Sequence, residues 1–135
     1  MCLTFCKPLA DDQRVAYTAA LFGLDFPLRI EPTIFAMAGH LSADYTGGLW
    51  EFYALSNGGF YMAPKTDEPF MVRCENGFAG QLSSEAFGIA VCLYAYSELS
   101  FTESAVAVTC AEQYHLVREH ALDHREAGVI MAAID

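Results

Sequence analysis

The stretch LWEFYALSNGGFYMA, residues 49–63, decides the fold because two apolar runs flank an Asn-Gly pair. Asn57-Gly58 in this setting is a strong hairpin signal, and it predicts a type I′ turn with positive φ at both central residues. The flanking strands are predicted over 49–55 and 60–63. Residues 70–75 alternate apolar and polar side chains and predict a third strand, which a second pair, Asn76-Gly77, closes. Three consecutive strands with short connections predict an antiparallel meander.

Two helices are predicted before the meander. Asp11 or Asp12 caps the first, which carries Val15, Ala19 and Phe22 on one side and ends at Gly23. Pro32 suits the first turn of a short second helix over 33–38, which Gly39 ends.

Three helices are predicted after the meander. Ser83 or Ser84 caps a helix over 85–99 that is apolar nearly all round and is therefore expected at the centre of the core. Thr102 or Ser104 opens the next helix, and a short helix over 125–133 ends the chain. The apolar stripe of the middle helix consists of Ala107, Cys110, Tyr114, Val117 and Ala121, and its polar face of Glu112, Gln113, His115, Glu119 and His120. This order predicts an α+β fold, one domain over residues 1–135, with about five helices and a meander of about three strands.

Charge and composition exclude several classes of function. The chain has 135 residues, a net charge of −10 and 54% apolar residues, so intrinsic disorder is excluded. The seven cations are scattered singly, and direct nucleic-acid binding is not expected because it needs a positive face. No uncharged stretch approaches the ~20 residues that span a bilayer, so no membrane association is expected. Five cysteines without a C-x-x-C pair fit a reducing cytoplasm, with Cys92 and Cys110 in apolar patterns.

Catalytic and cofactor motifs are absent from the sequence. No phosphate-binding loop, dinucleotide fingerprint or G-x-S-x-G elbow occurs. The alternative is a metal- or thiol-dependent enzyme that uses a cysteine or the histidines His115, His120 and His124, of which the last two share a face if the helix continues. Glu112 and His115 form a single E-x-x-H, too few ligands for a di-iron or zinc site. We therefore expect no enzyme activity, no cofactor and no bound metal.

A direct DNA mimic is a further alternative because the chain is acidic. Duplex DNA carries one charge per ~1.7 Å of axis, so a mimic needs long carboxylate rows and few cations. Here no run of acids exceeds two residues. An ordinarily solvated acidic surface fits this distribution better.

Five parts of the sequence stand out between roughly residue 32 and the end: GHLSADYTGGLWEFY (39–53), LSNGGFYM (55–62), ENGF (75–78), LSSEAFG (82–88), and a tail with Tyr114, His115, Arg118, Glu119, His120, Ala121 and His124. Together they resemble the KlcA/ArdB family of antirestriction proteins. The resemblance implies a small cytoplasmic α+β protein of plasmids and other mobile elements, which relieves host type I restriction-modification without enzymatic activity and protects incoming DNA. It leaves open whether that inhibition is direct or passes through another host factor.

The family brings no established catalytic motif, so candidate contact residues come from physical argument. Asp44 and Tyr45 lie in a polar loop before the first strand, where functional contacts concentrate. Asp67 and Glu68 lie in a second predicted loop, and Asp135 places two carboxylates at the chain end. We expect these five to form the partner-binding surface for the host restriction system. The protein is expected to be a monomer or weak dimer, since its apolar surplus makes self-association feasible.

Overall fold

The computed structural model describes residues 5–135, which form five strands and five α-helices around one hydrophobic core. The α+β prediction is confirmed. A π-helical turn, Phe26–Ile30, leads directly into the second helix. The elements in chain order are β1 (Cys6–Pro8), α1 (Asp11–Phe22), α2 (Glu31–Leu41), β2 (Trp50–Leu55), β3 (Phe60–Pro64), β4 (Phe70–Arg73), β5 (Ala79–Leu82), α3 (Ser84–Ser100), α4 (Ala107–Leu122) and α5 (Ala127–Ile134).

The β2–β3 hairpin forms where the Asn-Gly pair predicts it, but its turn type differs. The Gly58 N–H donates to the Leu55 carbonyl at 3.0 Å, and the Leu55 N–H donates to the Gly59 carbonyl at 2.8 Å. Only Gly58 has positive φ, at 93°, so the connection is a type I turn with a glycine bulge and the type I′ prediction is wrong. Asn57 keeps a negative φ because its side chain bonds both ways, to the Gly59 N–H and to the Leu116 carbonyl of α4.

The strand pairing predicted for the three-strand meander is also wrong. Two of its strands, β2 and β3, are paired antiparallel, but the third strand of that sheet is β1, with Cys6 opposite Leu55. Strand β4 pairs with β5 in a separate two-stranded sheet, with Phe70 opposite Leu82. Residues 70–75 therefore do form a strand and an Asn-Gly turn, but not beside β3.

Side chains from the helices explain why β4 cannot pair with β3. The alternation of an antiparallel ladder points the backbone groups of Phe60 and Met62 away from β2. The Phe60 N–H donates to Gln113 Oε1 at 2.8 Å, and the Phe60 carbonyl accepts from the Tyr96 hydroxyl at 2.7 Å. The thiol of Cys92 lies within hydrogen-bonding distance of both backbone groups of Met62. The helices thus satisfy this strand edge in place of another strand.

Helix α3 is the central element of the core, as its all-round apolar sequence predicts. Eleven of its residues are buried, and Ser83 caps it by accepting a hydrogen bond from the Ala86 N–H. Gly88 lies directly against β3, where an added Cβ would be 2.3 Å from the Cβ of Ala63. This close approach lets the backbone of the helix lie on the backbone of the strand.

The faces and bounds of the other helices differ from the sequence prediction in several places. In α1 the buried residues are Thr18 and Phe22, whereas Val15 is 78% exposed and Ala19 is exposed. Helix α2 continues past Gly39 to Leu41, since Gly39 does not adopt the positive φ with which a glycine ends a helix. Helix α4 begins only at Ala107, and α5 at Ala127.

The polar face predicted for α4 is partly wrong. Gln113 and His120 are 3% and 8% exposed, and both face the β2–β3 sheet. Gln113 is buried because its amide bonds two backbone groups of the hairpin, at Phe60 and Gly58. The apolar stripe is confirmed at Cys110, Val117 and Ala121.

Within residues 5–135, no helix is long and apolar enough to cross a membrane. Cys92 and Cys110 are buried, as their apolar surroundings predict, and the four described cysteines are free thiols. Cys2 lies outside the described residues.

Candidate partner-binding surface

Asp44 and Tyr45 lie in the loop between α2 and β2, and both have structural contacts. One carboxylate oxygen of Asp44 accepts from the Met71 N–H at 2.9 Å, while the Ser42 hydroxyl donates to the Met71 carbonyl at 2.7 Å. Together they cover the outer edge of β4 as a neighbouring strand would. The Tyr45 hydroxyl accepts from Trp50 Nε1 at 3.2 Å. Asp44 remains exposed, so its charge is still presented to solvent.

Asp67 and Glu68 are exposed in the loop between β3 and β4. The loop is held by Thr66, whose hydroxyl accepts from the Glu68 N–H and whose carbonyl accepts from Ser84 of α3. Glu68 and Asp44 line one open depression of about 490 Å³, which we call the acidic depression. Asp67 faces a neighbouring cleft of about 340 Å³ beside α3.

Asp135 does not join this surface. It follows α5, and its N–H donates to the Met131 carbonyl at 2.9 Å. The last turn of α5 is held by Asn76 and Tyr94, whose side chains donate to the carbonyl of Ala133. The structure therefore brings Asp44, Tyr45, Asp67 and Glu68 to one region and leaves Asp135 at the end of a separate, anchored helix.

The three histidines of the enzyme alternative do not converge. His115 is exposed, whereas His120 is buried and stacks on Tyr61 with a ring-centroid distance of 5.7 Å. His124 lies beyond the end of α4, at Leu122, but its ring still packs edge to face on His120 with the centroids 6.3 Å apart, so these two lie together and His115 lies apart. In the part of the chain that the structure describes, no group of three His, Cys, Asp or Glu side chains is placed to hold a metal ion.

A buried polar chain does link His124 to α3, and sequence reasoning missed it. His124 Nε2 lies 2.9 Å from the Glu85 carboxylate, and His124 Nδ1 accepts from the Glu126 N–H at 3.0 Å. Since Nδ1 accepts, the proton is on Nε2 and both ring nitrogens are committed. Hydrogen bonding to His124 lowers the pKa of the Glu85 carboxyl; burial acts in the opposite direction, and the Tyr61 hydroxyl lowers it further.

The hydroxyl of Tyr61 also contacts Cys6, an exposed free thiol of β1. Cys6 Sγ lies 3.3 Å from the Tyr61 hydroxyl, and burial raises the pKa of Cys6 despite that hydrogen bond. Burial also raises the pKa of Cys92 to about 12 and that of Cys110 to about 11. A nucleophilic cysteine needs a lowered pKa, so these three thiols lack the environment for catalysis. No local sequence signal connects Glu85 to His124, which is 39 residues away.

The fold and these sites describe a small α+β protein whose buried polar groups hold its elements together and whose exposed acids lie on both helices and loops. A sequence model of the antirestriction protein family matches residues 43–135. This chain belongs to that family, which confirms the resemblance seen in its sequence blocks.

Individual relatives align over nearly the whole chain. The antirestriction protein KlcA of Escherichia coli is 40% identical over 94% of this chain and 90% of its own length. The uncharacterized protein YafX of E. coli K12 is 42% identical over 95% of this chain and 86% of its own. A solved structure superimposes with a TM-score of 0.89 at 35% identity, over 98% of this chain and 95% of the other. That structure is described for the KlcA and ArdB proteins, which show a novel fold and antirestriction activity against type I DNA restriction systems in vivo but not in vitro.

Proposed function

We propose that this protein relieves type I restriction in the cytoplasm and so protects incoming unmodified DNA of plasmids or mobile elements. The observation that carries the proposal is the structural match to the KlcA and ArdB proteins, at a TM-score of 0.89 and 35% identity. Because the match covers 98% of this chain, the whole fold is compared and not an isolated motif.

The action is non-enzymatic. A general base needs a free lone pair within reach of the substrate, and His124 has both ring nitrogens engaged, with Glu85 and with the Glu126 N–H. The raised pKa values of Cys6, Cys92 and Cys110 keep these thiols protonated near neutral pH. These contacts give the polar groups a structural role and support inhibition through a surface.

The action passes through another component of the cell. The KlcA and ArdB proteins act on type I systems in vivo but not in vitro. A DNA mimic would compete with DNA for the purified enzyme, so that pattern counts against mimicry. The charges of this chain also disfavour mimicry of DNA. The Glu51 carboxylate lies 3.5 Å from Arg14 and 3.3 Å from Lys65, and these cations interrupt a row of acids at this position.

The partner-binding surface consists of Asp44, Tyr45, Asp67 and Glu68, with Asp135 as a separate contact. None of the four acids has an ion pair within the described residues, so their charges are available to a basic partner. Tyr45 positions the loop through its hydrogen bond with Trp50.

The experiment measures plating of unmodified phage on cells that express this protein, in hosts with and without a type I system. DNA cleavage by the purified type I enzyme is measured in parallel with the protein added. We expect relief only in the host with the type I system and no inhibition of the purified enzyme. Absence of relief in every host would refute the function, and inhibition of the purified enzyme would refute the indirect route.

Charge-neutral variants test the surface. Asp67→Asn combined with Glu68→Gln removes two charges without changing shape, and Asp44→Asn keeps an acceptor for the Met71 N–H. We expect each to reduce relief, because complementary charge guides a partner to the surface. The matched control is Glu103→Gln, an exposed acid on the loop before α4. Full activity of every surface variant would remove these residues from the interface.

A further inference from the structure

Three aliphatic side chains from different segments are almost fully exposed and line the same groove. Val15 of α1, Leu24 after α1 and Leu49 before β2 are 78%, 79% and 78% exposed. Scattered single apolar residues on a surface are ordinary, but a cluster that comes together only in the fold marks an interaction site. We call this feature the apolar groove.

The floor of the apolar groove is aromatic and fixed. Phe26, Trp50 and Phe52 line it and are at most 8% exposed, and its volume is about 740 Å³. The rings of Phe26 and Phe52 pack edge to face at 5.8 Å, and the Arg14 guanidinium lies 4.7 Å from the centre of the Phe52 ring. A rigid floor lets an inserted side chain bind without first ordering the pocket.

The apolar groove adjoins the acidic depression. Leu49 and Lys65 line both, so they form a shared ridge, with Asp44 and Glu68 on the far side. Lys65 is committed to Glu51 at 3.3 Å, whereas neither Asp44 nor Glu68 has an ion pair within residues 5–135. The combined surface therefore offers an apolar pocket on one side of the ridge and unpaired negative charge on the other.

We propose that this combined surface docks a protein partner through a large apolar side chain inserted into the apolar groove. A neighbouring Lys or Arg of that partner reaches across the ridge to Asp44 and Glu68. Buried apolar anchors carry most of the binding energy of such interfaces, and charge pairs at the rim set orientation and partner choice. A second copy of this chain fits less well, because it carries the same net charge of −10 and the same unpaired acids. The role of this docking in relief of type I restriction rests on the proposed function, whereas the binding itself does not depend on it.

The first test uses restriction relief in cells. The double variant Val15→Ser, Leu49→Ser removes two walls of the apolar groove and leaves every charge in place. The matched control is Val108→Ser, Leu122→Ser, whose side chains are 69% and 51% exposed on α4, away from the groove. We expect the groove variant to lose most of its relief and the control to keep it, with both folded by circular dichroism. Equal relief by the two variants would overturn the proposal, whereas absence of relief by the unmutated protein would refute the proposed function alone.

The second test measures binding directly and does not depend on restriction. Trp50 is the only tryptophan of the chain and lies on the groove floor, so its fluorescence reports occupancy. The probes are two amphipathic peptides of about 18 residues with a Leu face, one with Lys and one with Glu on the polar face. At physiological ionic strength we expect saturable binding of the Lys peptide only, weakened by about tenfold or more in the groove variant.

Three outcomes of this titration would overturn the proposal. They are no saturable binding of the Lys peptide, equal binding of the Glu peptide, and binding that the groove variant leaves unchanged. Sedimentation of the protein alone provides the remaining check, because a dimer that the groove variant abolishes would make a second copy the occupant.

Discussion

Replacing Gly88 by alanine tests the contact on which the core depends. An added Cβ would lie 2.3 Å from Ala63 Cβ, 2.5 Å from Ala63 Cα and 2.6 Å from the Met62 carbonyl oxygen. Two of these three atoms are backbone, so no side-chain rotation relieves the overlap. Helix α3 would have to move off β3 as a body, and both elements are surrounded by buried side chains.

The magnitude follows from two opposing effects. Alanine is favoured over glycine inside a helix by about 1 kcal/mol. Overpacking a well-filled core costs about 1–3 kcal/mol, and an overlap with backbone falls at the upper end of that range or above it. We therefore expect Gly88→Ala to lower the free energy of unfolding by about 2 kcal/mol or more, a large share of a typical 5–15 kcal/mol.

Gly39→Ala is the matched control, because Gly39 also lies inside a helix but an added Cβ would have nothing within 4 Å. Only the helix preference then acts, and the control should be more stable than the unmutated protein by about 0.5–1 kcal/mol. Urea unfolding followed by circular dichroism and Trp50 fluorescence measures both variants. The midpoint for Gly88→Ala should fall by roughly 1 M, for a slope of about 2 kcal/mol/M. A Gly88→Ala protein as stable as Gly39→Ala would refute the close contact between α3 and β3.

Three further predictions concern buried polar groups. Gln113→Leu leaves two backbone groups of the β2–β3 hairpin without partners and should lower the free energy of unfolding in urea by about 2–4 kcal/mol. A decrease no larger than that caused by a substitution at an exposed site would contradict this prediction. The lowered pKa of Glu85 means that its charge stabilises the fold above its unfolded pKa and that this contribution disappears as pH falls through the folded pKa. Glu85→Gln should therefore reduce the loss of stability as pH falls below the ordinary glutamate pKa of about 4.3, and an unchanged pH dependence would exclude the contact with His124 as its source. Cys92 and Cys110 should react with a thiol reagent only on unfolding, since burial raises their pKa to about 12 and about 11; rapid labelling of the native protein would count against this.

Local signals in the sequence predict most of the elements. The pair Asn57-Gly58 places the hairpin, because glycine supplies the positive φ that the connection needs. Ser83 marks the start of α3, and the absence of a polar face on α3 predicts its central position. Each of these inferences depends on neighbours in sequence, which is why each holds in the structure.

Strand pairing was not predictable in the same way. A short connection between β3 and β4 favours pairing, but the edge of β3 is taken by Gln113, Tyr96 and Cys92, which are 30 or more residues away. Pairing of β1 with β2 depends on a three-residue strand, Cys6–Pro8, with a lysine and a proline that lower its strand propensity. Only the tertiary contacts decide whether β4 or β1 joins the sheet that β2 and β3 form.

The exposed and buried faces of the helices were likewise not predictable from local sequence, and this affects the candidate site. Hydropathy periodicity assigns Val15 to the core and Gln113 to solvent, and the structure reverses both. Gln113 is inside because two backbone groups need its amide, whereas Val15 is outside because no element within residues 5–135 covers that side of α1. The apolar groove was therefore hidden from sequence reasoning, although an apolar content of 54% already indicated more apolar surface than one core requires.

The polar side chains of this protein divide into those that hold the fold together and those that are exposed and able to contact a partner. Two pairs most resemble catalytic machinery: His124 with Glu85, which ties α3 to the turn before α5, and Cys6 with Tyr61, which ties β1 to β3. Using any of them for chemistry would break a contact that holds these elements together. The carboxylates of Asp67 and Glu68 are under no such constraint, because Thr66 holds their loop, whereas the Asp44 carboxylate also accepts from the Met71 N–H. A change at Asp67, at Glu68 or in the apolar groove should therefore alter partner binding at little cost in stability, as the proposed recognition through a surface requires.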